Sequence, residues 1–135
     1  RSTQEHSRQR QMCIRDSNEE AKQNFGRPLS NIVYMGMGEP LLNYDNLIKS
    51  INLISSKDGL SMSPKRITVS TAGIAKMIKK LADDEVKFNL ALSLHTADDK
   101  KRDEIMPINQ SINIAKLEES IKYFYERTGT RVTYE

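Results

Sequence analysis

The residues best placed to do chemistry lie in one stretch, Asn31-Ile-Val-Tyr-Met-Gly-Met-Gly-Glu-Pro-Leu-Leu-Asn43, where a short apolar strand runs into two glycines, a carboxylate and a proline. Gly36 and Gly38 carry no side chain to block the approach of a ligand to the backbone, and Pro40 stops the strand. Glu39 adds a negative charge with two acceptor oxygens, a corner suited to an amine. Two further strand ends carry small polar groups. Ser70 closes the run Arg66-Ile-Thr-Val-Ser70, and Ser93 and His95 close the run that begins at Lys87. Each of these also has an ordinary structural reading: a surface acid, strand-end hydroxyls bonded to backbone, and a satisfied imidazole.

The elements that must hold these groups follow from periodicity. A strand over Asn31–Met35 precedes a helix near Asp45–Lys57, in which Leu47, Ile48, Ile51 and Ile54 repeat at helical spacing and Asp45 is positioned to cap the start. A second strand over Arg66–Ser70 is followed by a helix with Ile74, Met77, Ile78 and Leu81 on one face. A third strand over Lys87–Leu94 leads through a short helix near Asp99–Ile105, ended by Pro107, to a helix around Ile114–Arg127 with the stripe Ile114, Leu117, Ile121 and Phe124. Gly129 breaks that helix, and Arg131–Glu135 begins a fourth strand.

Strands alternating with amphipathic helices predict right-handed βαβ units and a parallel sheet. The third strand opposes Phe88, Leu90, Leu92 and Leu94 to Asn89, Ala91, Ser93 and His95, and the second opposes Ile67 and Val69 to Thr68 and Ser70. An open sheet covered on both faces should be apolar on both, so this alternation favours an arc of a β/α barrel with helices outside and a ligand inside. The predicted fold is an α/β partial parallel barrel of about four strands. Ser70, Ser93 and His95 are then expected to meet Gly38 and Glu39 at the carboxyl ends of adjacent strands.

Composition sets the limits. The 135 residues suffice for a domain with a core but are short for a complete barrel, and 37% hydrophobic with 29% charged residues marks a globular, cytoplasmic protein without a membrane span. The lone Cys13 forms no intrachain disulfide and cannot by itself hold an iron–sulfur cluster or a structural zinc. The net charge of +3 is uneven, with six Lys and Arg against four Asp and Glu in residues 1–30 and fifteen against fourteen thereafter. Charge alone therefore gives little reason to propose a nucleic acid partner, and Lys76, Lys79 and Lys80 read as a solvated helix face. Residues 1–17 show neither period and almost no apolar content, which predicts disorder. The run Gln11-Met-Cys-Ile-Arg-Asp-Ser17 also looks like translated adapter sequence, against the alternative of a native flexible terminus. The domain is accordingly expected over 18–135.

Four motifs carry a resemblance: Gly36-Met-Gly-Glu-Pro-Leu-Leu-Asn43, Arg66-Ile-Thr-Val-Ser-Thr-Ala-Gly73, Ser93-Leu-His95 and Arg102-Asp-Glu-Ile-Met-Pro-Ile-Asn109. In this order, with strand–helix units between them, they resemble the radical S-adenosylmethionine RNA methyltransferases that methylate adenine at C2 in 23S rRNA and in certain tRNAs. A sister family acting at C8 shares Gly-Met-Gly-Glu but tends to depart from Pro40-Leu-Leu-Asn43, which favours C2. The resemblance implies a radical SAM barrel in which Gly38 and Glu39 hold the methionyl amino group of S-adenosyl-L-methionine, and Ser70, Ser93, Leu94 and His95 make further contacts with it. It also implies a [4Fe-4S] cluster on a Cys-x-x-x-Cys-x-x-Cys loop, two methyl-relay cysteines and an N-terminal RNA-binding domain, none of which this sequence contains. The expectation is a segment of such an enzyme, contributing part of the cofactor pocket and inactive alone, with the cluster, the 23S rRNA and the tRNA belonging to the full-length parent. The alternatives are a non-catalytic βα ligand-binding or scaffold module, the C8 methyltransferase, and another radical SAM reaction on the same barrel, which the Met37–Asn43 string disfavours.

Overall fold

The computed structural model describes residues 3–35, 38–106 and 113–135, with side chains from Ile14 onward. Gly36, Met37 and the Pro107 helix stop lie outside the described residues. The chain runs through α1 (Thr3–Phe25), β1 (Ile32–Tyr34), a 3-10 turn (Pro40–Asn43), α2 (Tyr44–Ser55), a second 3-10 turn (Pro64–Arg66) and β2 (Ile67–Thr71). It continues through α3 (Ala75–Asp83), β3 (Asn89–Leu92), α4 (Asp99–Ile105), α5 (Ile114–Thr128) and β4 (Val132–Tyr134). The four strands form one parallel sheet in the order β1-β2-β3-β4, so each crossover returns the chain to the neighbouring position. That is the sequential winding of a barrel arc, as the alternating strands predict.

The register explains which face is which. Tyr34 aligns with Val69, Val69 with Leu90, and Leu90 with Val132, so these side chains share one side of the sheet. On that side the Tyr34 hydroxyl meets Ser50 Oγ of α2 at 2.6 Å, and Leu92 lies beside Leu117 of α5. The helices therefore cover this face, and the core of Ile67, Val69, Leu90, Leu92, Leu117 and Phe124 is buried between sheet and helices. The opposite face carries Val33, Thr68, Ser70, Asn89, Ala91 and Thr133, and Val33 stands 53% exposed. Truncating one of the fully buried core leucines costs about 2–5 kcal/mol in such a setting.

Helix α3 is the best-anchored outer element. Tyr44 of α2 donates its hydroxyl to Asp84, and Tyr123 of α5 donates to Asp83 at 2.6 Å, so the end of α3 is held from both sides. Lys79 pairs with Glu119 at 2.6 Å, and the Lys80 ammonium lies 4.0 Å from the centre of the Tyr44 ring. Two of the three lysines read as a solvated face thus have specific partners. Asp45 also differs from expectation: the cap position of α2 belongs to Asn43, and Asp45 lies inside the first turn, where its charge suits the helix dipole.

The segment expected to lack order is a helix in the structure. Residues 3–25 contain neither proline nor glycine and are rich in Gln, Glu and Arg, which are good helix formers. The lack of hydrophobic period reports how little this helix can bury, which is a separate quantity from local propensity. Its attachment is correspondingly slight: Ile14 packs at the rim of the core, and Asn18 Oδ1 accepts the Leu29 N–H at 3.0 Å.

Candidate functional site at the carboxyl ends of the strands

Glu39 follows β1 in extended conformation and caps the 3-10 turn that Pro40 begins. Its carboxylate is the hub of three hydrogen bonds. Oε1 accepts the Leu41 N–H at 3.0 Å and the Thr71 hydroxyl at 2.8 Å, and Oε2 accepts the Ala72 N–H at 2.7 Å. The side chain thereby ties the loop after β1 to the end of β2. A carboxylate offers roughly four acceptor positions, and among the described residues one stays unfilled, on Oε2. Gly38 precedes it with φ +94° and open space where a Cβ would stand, an exposed left-handed turn that a side chain would strain.

Ser70 and Ser93 come together as the strand pattern requires, with their hydroxyls 3.2 Å apart on the face away from the helices. Glu135, beyond β4, joins them: its Oε2 accepts from Ser70 at 3.2 Å and from Ser93 at 3.4 Å. Ser70 is buried in this cluster and Ser93 half-buried. The third strand ends earlier than its periodicity suggests, at Leu92, because the backbone turns at Leu94 and His95. The Leu94 and His95 N–H groups both donate to the Glu135 carbonyl, at 2.9 and 3.0 Å, and His95 takes a left-handed conformation with φ +60°. Leu94 is half-buried and packs against the core, while His95 is exposed.

The expected gathering is thus of two parts. Ser70 and Ser93 form one cluster with Glu135, and Glu39 grips the next two residues of the same strand end, Thr71 and Ala72. Strand alternation turns the Thr71 side chain away from the Ser70 side, so the carboxylate approaches β2 from beside the hydroxyl pair. Gly38 lies next to Glu39 in the loop, and His95 lies two residues past Ser93.

Besides Glu135, three contributors are not among the expected site residues. Thr71 and Ala72 supply donors to Glu39, and Arg102 is a guanidinium with no exposed surface. Arg102 donates to the Ala72 carbonyl at 2.7 Å and to the Leu94 carbonyl at 3.3 Å, so it bridges the ends of β2 and β3. Burial lowers its pKa while Asp99 and Asp103 oppose that shift, and it stays protonated at any physiological pH. Arg102 stood within a charge-rich helical run, Asp99–Ile105, whose charges look like solvent-facing groups. Arg102 stands four residues past the N-cap Asp98, at helical spacing from it, but no local pattern marks that position as the one that faces the sheet.

Chemically, the site offers a partly satisfied carboxylate, two hydroxyls that donate or accept, and a glycine turn open to close approach. These fit an amino acid moiety whose ammonium takes the remaining Oε2 position and whose other polar atoms reach the serine hydroxyls. They do not fit an iron–sulfur cluster. The chain has one cysteine, and the described residues contain no group of three or more His, Cys, Asp or Glu arranged to hold a metal ion.

No family model matches the chain. It is 60% identical over 116 residues to a "Probable dual-specificity RNA methyltransferase RlmN" from Flavobacterium psychrophilum, covering 86% of this chain and 33% of that relative. Relatives with the same description in Cytophaga hutchinsonii and Salinibacter ruber are 57% and 49% identical, each over 87% of this chain and 32% of their own length. Among solved structures, a radical SAM methyltransferase from Sphaerobacter thermophilus superposes with a TM-score of 0.83 at 35% identity, over 88% of this chain and 35% of that one. The chain spans about a third of the length of the curated relatives it matches. With the fold, the strand order and this level of identity in agreement, the chain belongs to the dual-specificity RNA methyltransferase family built on the radical SAM fold.

Proposed function

We propose that residues 18–135 form a partial radical SAM barrel domain that contributes part of the S-adenosyl-L-methionine pocket of an RNA methyltransferase. In this reading Glu39 Oε2 receives the methionyl ammonium and Gly38 leaves room for it. Ser70 and Ser93 bind polar atoms of the same ligand, and Leu94 and His95 line it on the β3 side. The observation that carries the reading is the meeting of Glu39 with the Thr71–Ala72 end of β2, beside the Ser70–Ser93 hydroxyl pair, at 2.7–3.2 Å. Parallel α/β folds bind ligands at this end of their strands.

When bound, S-adenosyl-L-methionine supplies the methyl group that the full-length protein transfers to RNA. The residues of this chain bind and orient it. With a single cysteine in this segment, the cluster that such enzymes require would be held by residues outside it. The proposed targets are adenine C2 in 23S rRNA and in tRNA, and the proposed location is the cytoplasm. The description of the relatives as dual-specificity RNA methyltransferases supports an RNA substrate. Pro40-Leu-Leu-Asn43 supports C2 over C8.

Nucleoside mass spectrometry of rRNA and tRNA tests this. Deleting the gene that carries this segment is expected to abolish 2-methyladenosine in both, and restoring the full-length gene to return it. Loss of 8-methyladenosine instead, or no change in either nucleoside, contradicts the proposal.

A further inference from the structure

Ala72 is held at both of its backbone polar groups by charged side chains from other elements. Its N–H donates to Glu39 Oε2 at 2.7 Å, and its carbonyl accepts from Arg102 Nη2, also at 2.7 Å. The same guanidinium reaches through Nε to the Leu94 carbonyl at 3.3 Å, in the turn between Ser93 and His95. The Thr71 hydroxyl adds to the grip by donating to Glu39 Oε1 at 2.8 Å, and accepts the Gly73 N–H at 3.1 Å. A continuous path of hydrogen bonds therefore runs from the loop after β1, through the end of β2, to the turn after β3. Its two charged ends are of opposite sign. Arg102 is wholly buried, so this bridge is made with little competition from water.

We propose that Arg102 is a positioning residue: its planar guanidinium and the Glu39 carboxylate clamp Ala72 between them, fixing the mutual placement of the three strand ends on which the cofactor pocket stands. This rests on the proposed function for the identity of the ligand, but the clamp itself is a property of the chain. Arg suits the role because its donors diverge in one plane and can bridge two carbonyls on separate strands. A lysine at the same place is a point charge that reaches one carbonyl well. The negative partner at Glu39 also has its oxygens aimed by the clamp, since Ala72 holds Oε2 in place while leaving it one acceptor position.

The test uses the full-length protein that carries this segment, with Arg102→Lys and, as a shape-conserving second variant that keeps the arginine, Thr71→Val. Two readouts are taken: backbone hydrogen exchange by peptide, and the Kd for radiolabelled S-adenosyl-L-methionine by equilibrium dialysis. For both variants, exchange over residues 71–73 is expected to accelerate at least tenfold, with the protection of Val69 and Leu90 unchanged. Arg102→Lys should also accelerate exchange over 94–96. The Kd is expected to rise about tenfold in each, without recovery in the lysine variant. If exchange over these segments stays as in the wild type, the clamp is overturned. If exchange accelerates but the Kd moves less than twofold, the positioning role is overturned. A wild-type protein that binds no S-adenosyl-L-methionine overturns the proposed function, and the exchange data then still decide whether the clamp exists.

Discussion

Glu39 performs two tasks that a surface acid would not. It satisfies three donors that would otherwise end in the strand-end loops, and it retains acceptor capacity on the oxygen that Ala72 orients. A second residue with a measurable signature is Tyr44, buried between α2 and α3. Burial raises the pKa of its hydroxyl, the hydrogen bond to Asp84 adds to this, and the nearby charges of Asp84 and Asp45 act in the same direction. The folded state therefore holds this proton more tightly than the unfolded chain does. The stabilisation is complete below the unfolded tyrosine value of about 10 and is lost as pH rises from there toward the raised folded value. Urea midpoints measured from pH 8 to 11 should fall more steeply for the wild type than for Tyr44→Phe, and parallel curves would contradict the assignment. At this scale the sequence was informative where local pattern carries chemistry, as in Gly38-Glu39-Pro40 and the small hydroxyls at strand ends. Arg102 stands in it only as the first residue of a family-like motif and Glu135 only as the end of a strand, neither with a role in the site. Their roles depend on which element folds over which strand end, and nothing local separates a buried arginine in a charged run from its exposed neighbours.

The helices were legible because each buries one stripe. The expected α4 over Asp99–Ile105 is found there, and α5 starts at Ile114 and ends next to Gly129 as the pattern indicates. Strand ends shift by one or two residues, since they are set by partners rather than by alternation: β2 extends to Thr71, which pairs with Leu92, while β3 stops where Leu94 turns toward the Glu135 carbonyl. Helix α1 was missed for the opposite reason, because it forms by local propensity and buries little. The junction between β2 and α3 depends on Gly73. Its φ is +98°, and a Cβ there would press to 2.8 Å from one methyl of Leu117 and 3.0 Å from another and from a methyl of Leu92. Gly73→Ala should cost about 1–3 kcal/mol through overpacking, with backbone strain in addition. Urea denaturation of the full-length protein checks this, and a change below about 0.5 kcal/mol, the scale of an ordinary surface substitution, would contradict it.

As a whole, the molecule is an arc: four parallel strands with helices on one face and a small, polar, partly open surface on the other. β1 and β4 are bare edges within the described sheet, Met35 past the end of β1 is 61% exposed, and Tyr134 in β4 is 58% exposed. Unpaired parallel edges with apolar neighbours recruit further strands. Residues 18–135 made alone should therefore associate in a concentration-dependent way in sedimentation experiments and transfer no methyl group to RNA, whereas a stable monomer would show that the arc is self-sufficient. What the arc does provide is the set of strand ends joined by Glu39, Ala72, Arg102 and Leu94, beside the Ser70–Ser93–Glu135 cluster. The most direct test of its proposed role is a crystal structure of the full-length protein with S-adenosyl-L-methionine bound. The account predicts the methionyl nitrogen within hydrogen-bond reach of Glu39 Oε2, about 2.7–3.2 Å, with Ser70 or Ser93 touching the same ligand. A ligand seated at the amino ends of the strands, or with its amine held by other residues while Glu39 faces away, would contradict it.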